Sequence, residues 1–495
     1  MRSKILLVSG FLLLGSAVAW GQTNTTPAPD ASSSSTPAAQ STTPAASPDA
    51  TQAAAAAAAA ATPPVWSAGP IDFSGEVDGY YDFNFNHPDG VTGNVANTYS
   101  SNNNNNLYNF DSKANQFDLN FAKLAMSHSP DPVGFELDFG FGRTVQTINF
   151  AEQPNGFQYV EQAYLELKPA KAKGFELDFG KFATSAGAEV IETYNDWNYS
   201  RSLLFTWAIP YYHMGARLSW PMGKHWTAGF QLVNGWNNVS TTVNSGKTIG
   251  AVAAFTSSKA TWNFNYYGGP ANNGTNMGWL NLFDTTLLLT PTSPKLAKWN
   301  AYINYDYDRH GFGTGGPAVS WYGIAIAVHD QITPKWAFSP RFEWFDDANG
   351  FDLAGALPPA ITANAGAVPQ QVKEITLTLE YKMLEGLLWR LEYRRDWSTY
   401  PMFLRGTFPS FIDNCNYNYA DGCLNEDDYE EGVVKAPDTG SGLSNVSSAI
   451  IDQPSSPGGQ YPTPLPDSEG KGLYGFSKSQ NTITIGLIAF FGPKR

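Results

Sequence analysis

The sequence GFELDFG, which stands at both Gly134–Gly140 and Gly174–Gly180, holds the key to the fold. Successive side chains of an extended strand point to opposite faces, so its two Phe and one Leu share one face and its Glu and Asp share the other. A soluble sheet would bury the apolar face in a core. A membrane β-barrel would present that face to lipid and turn the carboxylates towards a wet lumen.

The same alternation continues through most of the chain after residue 65. The stretch IDFSGEVDGYYDFNF, from Ile71 to Phe85, alternates over a length that helical spacing cannot produce, and it exceeds the ~5–6 residues usual for a soluble strand. Lys123 breaks the phase of one such segment. We predict strands at 71–86, 115–128, 133–148, 157–168, 174–183, 211–221, 225–236, 248–256, 259–268, 280–290, 298–308, 319–329, 334–345, 372–382, 387–396 and 481–491.

The connections between these strands alternate in length along the whole chain. Short polar turns lie at 129–132, 221–224, 257–259, 333–335 and 383–386. Longer polar segments lie between them, at 87–114, 237–247, 268–278, 346–371 and 397–480. Outer-membrane barrels have this asymmetry, with short periplasmic turns and long extracellular loops. We therefore predict an all-β fold, a transmembrane antiparallel barrel of about 16 strands with both termini in the periplasm of a Gram-negative bacterium.

Lysine and tryptophan recur together at the short turns. A membrane interface favours Trp at the level of the headgroups and Lys whose stem reaches towards water. Chance and ordinary cation–π contact are the alternative explanation. The pairs are Lys224/Trp226, Lys259/Trp262, Lys298/Trp299 and Lys335/Trp336.

The amino-terminal segment has the composition of an export signal. Arg2 and Lys4 precede a short apolar run, and small residues follow it at Ala17-Val18-Ala19. The next stretch is mostly Ala, Thr, Ser and Pro, a composition that cannot bury a core. The predicted organisation is a signal peptide at 1–19, a low-complexity linker at 20–65 and an outer-membrane barrel at 66–495.

Composition excludes several functions. The chain has 44 acidic and 30 basic residues and a formal net charge of −14, which disfavours nucleic acid as a partner. The six histidines are scattered without metal-ligand spacing, and no nucleophile motif is present, so we expect no catalytic residue, no metal and no cofactor. Cys415 and Cys423 are close in the sequence of an exported protein and are predicted to form a disulfide in an extracellular loop.

The polar phase of the predicted strands assigns charged residues to the lumen. The acids are those of the repeated heptapeptide, Glu136, Asp138, Glu176 and Asp178. The bases form a possible strip that faces those acids, although pairs that only stabilise the barrel would explain them equally well. The predicted lumen-facing residues on the other strands are Arg217, Arg341, Arg390, Glu392 and Arg394.

The connection at 183–210 has the wrong composition for a loop exposed to water. It carries Val, Ile, Leu, Phe and Trp, whereas the other long connections carry Asn, Gly, Ser and acids. We expect it to fold into the barrel and narrow the channel, with Glu189, Glu192 and Asp196 facing the passage and Arg201 as a counter-charge or anchor. Three acids against one base predict a weak cation preference. Packing against a neighbouring protomer of a homotrimer is the alternative.

Residues 162–236 resemble the OmpL-like β-barrel porin family of Gram-negative outer membranes. The resemblance is carried by QAYLELKP from Gln162, by GFELDFGKFATSAGAEVIETYNDWNYSRSLLFTWAIPYYHMGARLSW from Gly174, and by LVNGWNN from Leu232. It implies a passive diffusion channel for small hydrophilic solutes, in contact with outer-membrane lipid and lipopolysaccharide. A secreted all-β protein that binds or hydrolyses carbohydrate is the rival hypothesis.

Overall fold

The computed structural model describes residues 66–88, 104–152, 156–240, 244–272, 274–313, 317–356, 368–405, 465–466 and 472–492. All of them belong to one of the two units into which the chain divides, Ala45–Arg495, and none belongs to the other, Met1–Pro44. The predicted signal peptide, the whole of the predicted linker and the predicted Cys415–Cys423 disulfide lie outside the described residues.

Strands dominate the described part of the chain. In chain order they are β1 (Trp66–Ala68), β2 (Ile71–Asn84), β3 (Gln116–His128), β4 (Val133–Phe141), β5 (Val160–Leu167), β6 (Glu176–Ala183), β7 (Tyr212–Met222), β8 (Trp226–Val233), β9 (Thr248–Thr256), β10 (Ala260–Pro270), β11 (Trp279–Leu289), β12 (Trp299–Gly311), β13 (Val319–Asp330), β14 (Trp336–Asp347), β15 (Gln370–Leu384), β16 (Leu387–Ser398), β17 (Phe403–Arg405), β18 (Leu465–Pro466), β19 (Gly472–Ser477) and β20 (Ser479–Phe491).

Helical structure is confined to short pieces. The α-helix α1 spans Arg143–Ile148, and a π-helical turn spans Leu204–Ala208. The 3-10 turns are Phe150–Glu152, Gly156–Tyr159, Ala170–Ala172, Thr193–Asn195 and Leu353–Ala356. Across the described ranges, every helix is too short or too polar to cross a membrane.

Sixteen strands, β2–β16 and β20, form a closed antiparallel barrel. Each strand from β2 to β15 pairs with the strand that follows it in the chain. Strand β20 pairs with both β16 and β2, so the barrel has no free edge. The closing register runs from Gly75↔Phe491 to Asn84↔Thr482. The fold class predicted from the alternation is therefore confirmed, and each of the sixteen predicted strands has its counterpart.

The prediction of one continuous strand at 133–148 is partly wrong. Strand β4 ends at Phe141, because Gly142 adopts a φ of 105°, a conformation that favours glycine and turns the chain. Helix α1 follows and buries Val145 and Ile148, which are spaced i, i+3 on one of its faces. A Cβ on Gly140 would lie 2.6 Å from the Val145 side chain, so this glycine lets the helix approach the barrel wall closely.

The outer face of the barrel is apolar and exposed. Phe117, Leu165 and Phe179 are each more than half exposed. Trp226, Trp299 and Trp336 are the first residues of their strands at one end of the barrel, and Trp262 is the third residue of β10. All four are exposed. An exposed apolar band edged by aromatic residues is the surface that a bilayer requires.

Candidate functional site: the lumen of the barrel

The inner face of the barrel is polar and tightly occupied. Each of the sixteen barrel strands contributes at least one side chain that is less than a tenth exposed, and most of those on the inner face are polar or charged. Glu136, Asp138, Glu176 and Asp178 alternate with the outward Phe and Leu of β4 and β6, and they are buried. Barrels of this size leave a water-filled channel unless loops fill it, so the course of the loops is decisive.

The connection between β6 and β7 runs inside the barrel. Tyr199 Oη donates to Asp78 on β2 at 2.6 Å, and its backbone N–H donates to Glu392 on β16 at 2.6 Å. The Asn198 amide donates to Ser339 O on β14 at 3.0 Å. These contacts confirm the inward course predicted from composition. Its role as a constriction remains a prediction.

Apolar side chains of this connection pack under other loops and against the wall. Leu203, Leu204 and Phe205 are almost fully buried, and the ring of Phe205 lies 5.7 Å from that of Phe110 in the β2–β3 connection. A Cβ on Gly323 of β13 would lie 2.6 Å from Leu204, so the connection leaves no room for a side chain at this position of the wall. Burial of such side chains contributes roughly 1.5–3 kcal/mol each.

A wall residue on β20 also makes room for this connection. A Cβ on Gly486 would lie 2.2 Å from the ring of Tyr199. Only a residue without a side chain fits at that position, because the ring already fills the space. Strands β2, β16 and β20 therefore all contact the same tyrosine.

The four predicted constriction residues have different surroundings. Glu189 is buried, lies 2.6 Å from Arg341 Nη1 and accepts a hydrogen bond from Tyr302 Oη at 3.2 Å. Asp196 is buried and lies 3.0 Å from Arg201 Nε. Glu192 is also held in an ion pair, with Lys123, but it keeps 18% of its side chain exposed.

Arg201 acts within its own connection. Its guanidinium pairs with Asp196 and donates to the carbonyl oxygens of Val190 and Tyr199, each at 2.9 Å. It lies 5.2 Å from the ring centroid of Phe110. Arg201 is thus paired with an acid of its own loop, and its role at a constriction remains a prediction.

Each of the predicted lumenal arginines forms at least one ion pair. Arg217 Nε lies 2.7 Å from Asp178, and Arg390 Nη2 lies 2.7 Å from Glu380. Arg394 Nη2 lies 2.8 Å from Asp396. Pairing within a wall, or between a wall and the loop, describes these contacts better than a basic strip that faces distant acids.

Sequence reasoning missed two further inward segments. Residues 104–115 enter the lumen, where Asn105 Nδ2 donates to Asp82 at 2.9 Å. In the same segment, burial raises the pKa of Asp111 to about 7, with the negative charge of Glu392 adding to the effect. Helix α1 is the second segment. The i, i+3 spacing of its apolar residues was the signal that would have found it.

Three carboxylates converge where β5 ends and β6 begins. Ligand oxygens of Glu166, Glu176 and Asp178 all lie within 4.8 Å of one another. Lys168 pairs with Glu176 at 2.8 Å and Arg217 with Asp178, so two of the three charges are already neutralised. The group is a polar cluster of the lumen wall.

A closed sixteen-stranded barrel with an apolar outer face and a polar inner face is the architecture of an outer-membrane porin. The family model described as "Putative beta-barrel porin-2, OmpL-like" matches residues 70–414, more than half of the chain. The protein belongs to this family of outer-membrane porins. No curated protein matches the sequence.

Comparison with solved structures finds similar outer-membrane proteins at low sequence identity. OmpT of Vibrio cholerae is 10% identical, with a TM-score of 0.46 over 86% of this chain and 100% of that chain. An anion-selective porin from Comamonas acidovorans is 8% identical, with a TM-score of 0.47 over 85% of this chain and 99% of that chain. OprB of Pseudomonas putida is 10% identical, with a TM-score of 0.46 over 85% of this chain and 94% of that chain.

Proposed function

We propose that this porin is a passive channel for small hydrophilic solutes and ions, constricted by the β6–β7 connection around Glu189, Glu192, Asp196 and Arg201. The observation that carries the proposal is the inward course of that connection, which bonds to β2, β14 and β16. Because loops and wall side chains occupy much of the lumen, the passage is narrow and favours small solutes.

A weak cation preference is part of the proposal. Among the described residues, buried carboxylates far outnumber buried lysines and arginines. On β11 and β12, Asp284, Asp306 and Asp308 share the inner face, and neither oxygen of Asp308 has a hydrogen-bond partner in the described part of the chain. Negative potential focused in a narrow passage raises the local concentration of cations.

The asymmetry of the two barrel ends supports the orientation that we propose in the membrane. Short turns, among them 223–225, 257–259 and 385–386, lie at the end that also holds the start of β2 and the end of β20. We assign this end, and both termini, to the periplasm. The outer apolar band then contacts lipid, and the longer loops face lipopolysaccharide. A homotrimer is compatible with this placement.

Loop deletion in planar bilayers tests the constriction. Removal of 185–200 should raise the single-channel conductance, because the segment that crosses the lumen is gone. Removal of 274–277, which are mostly exposed residues of the β10–β11 connection, is the matched control and should leave the conductance unchanged. Heat-modifiable migration on a gel verifies that each variant is folded. Wild-type conductance from a folded 185–200 deletion would refute the constriction.

The charge assignment has a separate readout. In a salt gradient, the reversal potential of the wild-type channel should indicate that K⁺ permeates more readily than Cl⁻. Anion preference would overturn the assignment of charge and leave the diffusion channel itself intact.

A further inference from the structure

Lys123 reaches the lumen because of a β-bulge in β3. Asp78 pairs with Phe121, but the next residue of β2, Gly79, pairs with Leu119, so Asn120 is an extra residue in β3. Phe117 and Leu119 point outwards and are 83% and 47% exposed. In a regular strand Lys123 would follow them onto the lipid face, and the bulge turns it inwards.

The ammonium group of Lys123 is shared by carboxylates from three different elements. Its Nζ lies 2.8 Å from Asp138 on β4 and 3.7 Å from Glu161 on β5. It also contacts the carboxylate of Glu192 in the β6–β7 connection. Glu76 of β2 is its direct cross-strand neighbour. One positive charge therefore serves at least three negative ones.

This cluster has an open side and a closed side. The side chains of Asp138 and Glu161 are 1% exposed, that of Lys123 is 8% exposed and that of Glu192 is 18% exposed. Both oxygens of Glu161 lack a hydrogen-bond partner within the described ranges, so its ion pair with Lys123 is the compensation that the structure provides. The open side, at Lys123 and Glu192, is where a diffusing ion would meet the cluster.

We propose that Lys123 is a selectivity-determining residue of the channel, a tethered counter-cation that limits its cation preference. The inference rests on the proposed channel function. The ammonium occupies the position that a mobile cation would otherwise take among Asp138, Glu161 and Glu192. Its removal leaves the carboxylates for K⁺ or another small cation, and removal of one carboxylate has the opposite effect.

The test compares reversal potentials of purified variants in planar bilayers across a KCl gradient. Lys123→Met should raise the ratio of K⁺ to Cl⁻ permeability several-fold, and Lys123→Arg should retain the wild-type ratio. Glu161→Gln should lower the ratio. Lys382→Met is the matched control, because Lys382 pairs with Glu385 at a turn and loses the same charge away from the cluster. Its ratio should equal that of the wild type.

A purely structural role for Lys123 predicts a different pattern. Lys123→Met would then lower the thermal stability of the barrel but leave the permeability ratio at the wild-type value. Ratios unchanged in both Lys123→Met and Glu161→Gln would overturn the proposal. If Lys123→Met does not fold, the direction of the shift in Glu161→Gln decides. A wild-type barrel that carries no current would instead refute the proposed channel function.

Discussion

Two walls of the lumen handle charge in opposite ways. On β14–β16, Arg341 alone contacts three carboxylates, those of Glu189, Glu343 and Glu374, at 2.6, 3.0 and 2.9 Å. Neighbouring arginines also bind the backbone of the β6–β7 connection, as when Arg394 Nη1 donates to the carbonyl oxygen of Arg201 at 2.7 Å. The arginines of this wall therefore hold the loop in position.

The wall formed by β3–β5 has a single lysine for its acids. Lys123 contacts three carboxylates, one of which, Asp138, also accepts a hydrogen bond from the Gln162 amide, and the cluster opens on one side. The two walls thus differ in what their buried ion pairs do. On β14–β16 the pairs hold a loop, and on β3–β5 we propose that the imbalance of charge acts on passing ions.

The largest effect is expected from breaking the β14–β16 wall. Arg341→Met leaves three buried carboxylates without their shared cation, and we expect the free energy of unfolding to fall by about 3–5 kcal/mol. Urea unfolding in detergent, followed by tryptophan fluorescence, measures the loss. The exposed pair Lys298–Asp330 provides the control, since Lys298→Met should cost within about 1 kcal/mol. Equal losses in the two variants would contradict the difference between a buried anchor and a surface pair.

A smaller effect is expected from crowding the loop without changing its charges. Gly486→Val places a side chain where the Tyr199 ring lies, so the ring must move away from β20. Overpacking of this kind costs about 1–3 kcal/mol. The displaced loop should also alter single-channel conductance.

The matched variant is Gly311→Val at the end of β12, where an added Cβ meets nothing within 4 Å. It should leave both stability and conductance close to the wild type. If Gly486→Val also behaves like the wild type, the contact between Tyr199 and β20 does not position the loop.

A third effect concerns the carboxylate of Asp111, whose burial outweighs the attraction of the nearby Arg394. Burial raises the pKa of Asp111 to about 7, above the value of about 3.9 in an unfolded chain. The folded state therefore holds the proton more tightly, and the contribution of this group to stability falls as the pH rises from about 4 to about 7. Asp111→Asn removes that dependence.

Thermal unfolding at pH 4 and pH 8 measures this difference. The Asn variant should match the wild type more closely at pH 4 and exceed its stability at pH 8. Asp131→Asn, in the exposed β3–β4 turn, is the control and should show no gain at pH 8. A gain of equal size at both pH values would show that ionisation of Asp111 is not the cause.

The barrel could be predicted because its determinants are local. Alternation with a period of two is set by each strand and its two environments. The alternation of short and long connections distinguishes the two ends of the barrel. The bulge in β3 depends on pairing with β2, so the alternation alone could mark Lys123 only as a break in phase. Breaks of this kind are expected where a strand redirects a functional side chain.

The ion pairs of the lumen could not be predicted in the same way. Composition was enough to place the β6–β7 connection inside, because its apolar residues need a surface to cover. The partner of Glu189, however, is Arg341, which is 152 residues away in the chain. Such a pair depends on the curvature and register of the whole barrel, which no local pattern contains.

The position of Tyr199 has a consequence for the order of assembly. Its hydroxyl reaches the first barrel strand, its backbone N–H reaches β16, and its ring lies on the last strand, β20. These strands form the seam at which the cylinder is sealed. A residue from the middle of the chain can complete these contacts only after the seam has formed. The β6–β7 connection is thus seated late in biogenesis, and a fully seated Tyr199 marks a barrel that has already closed.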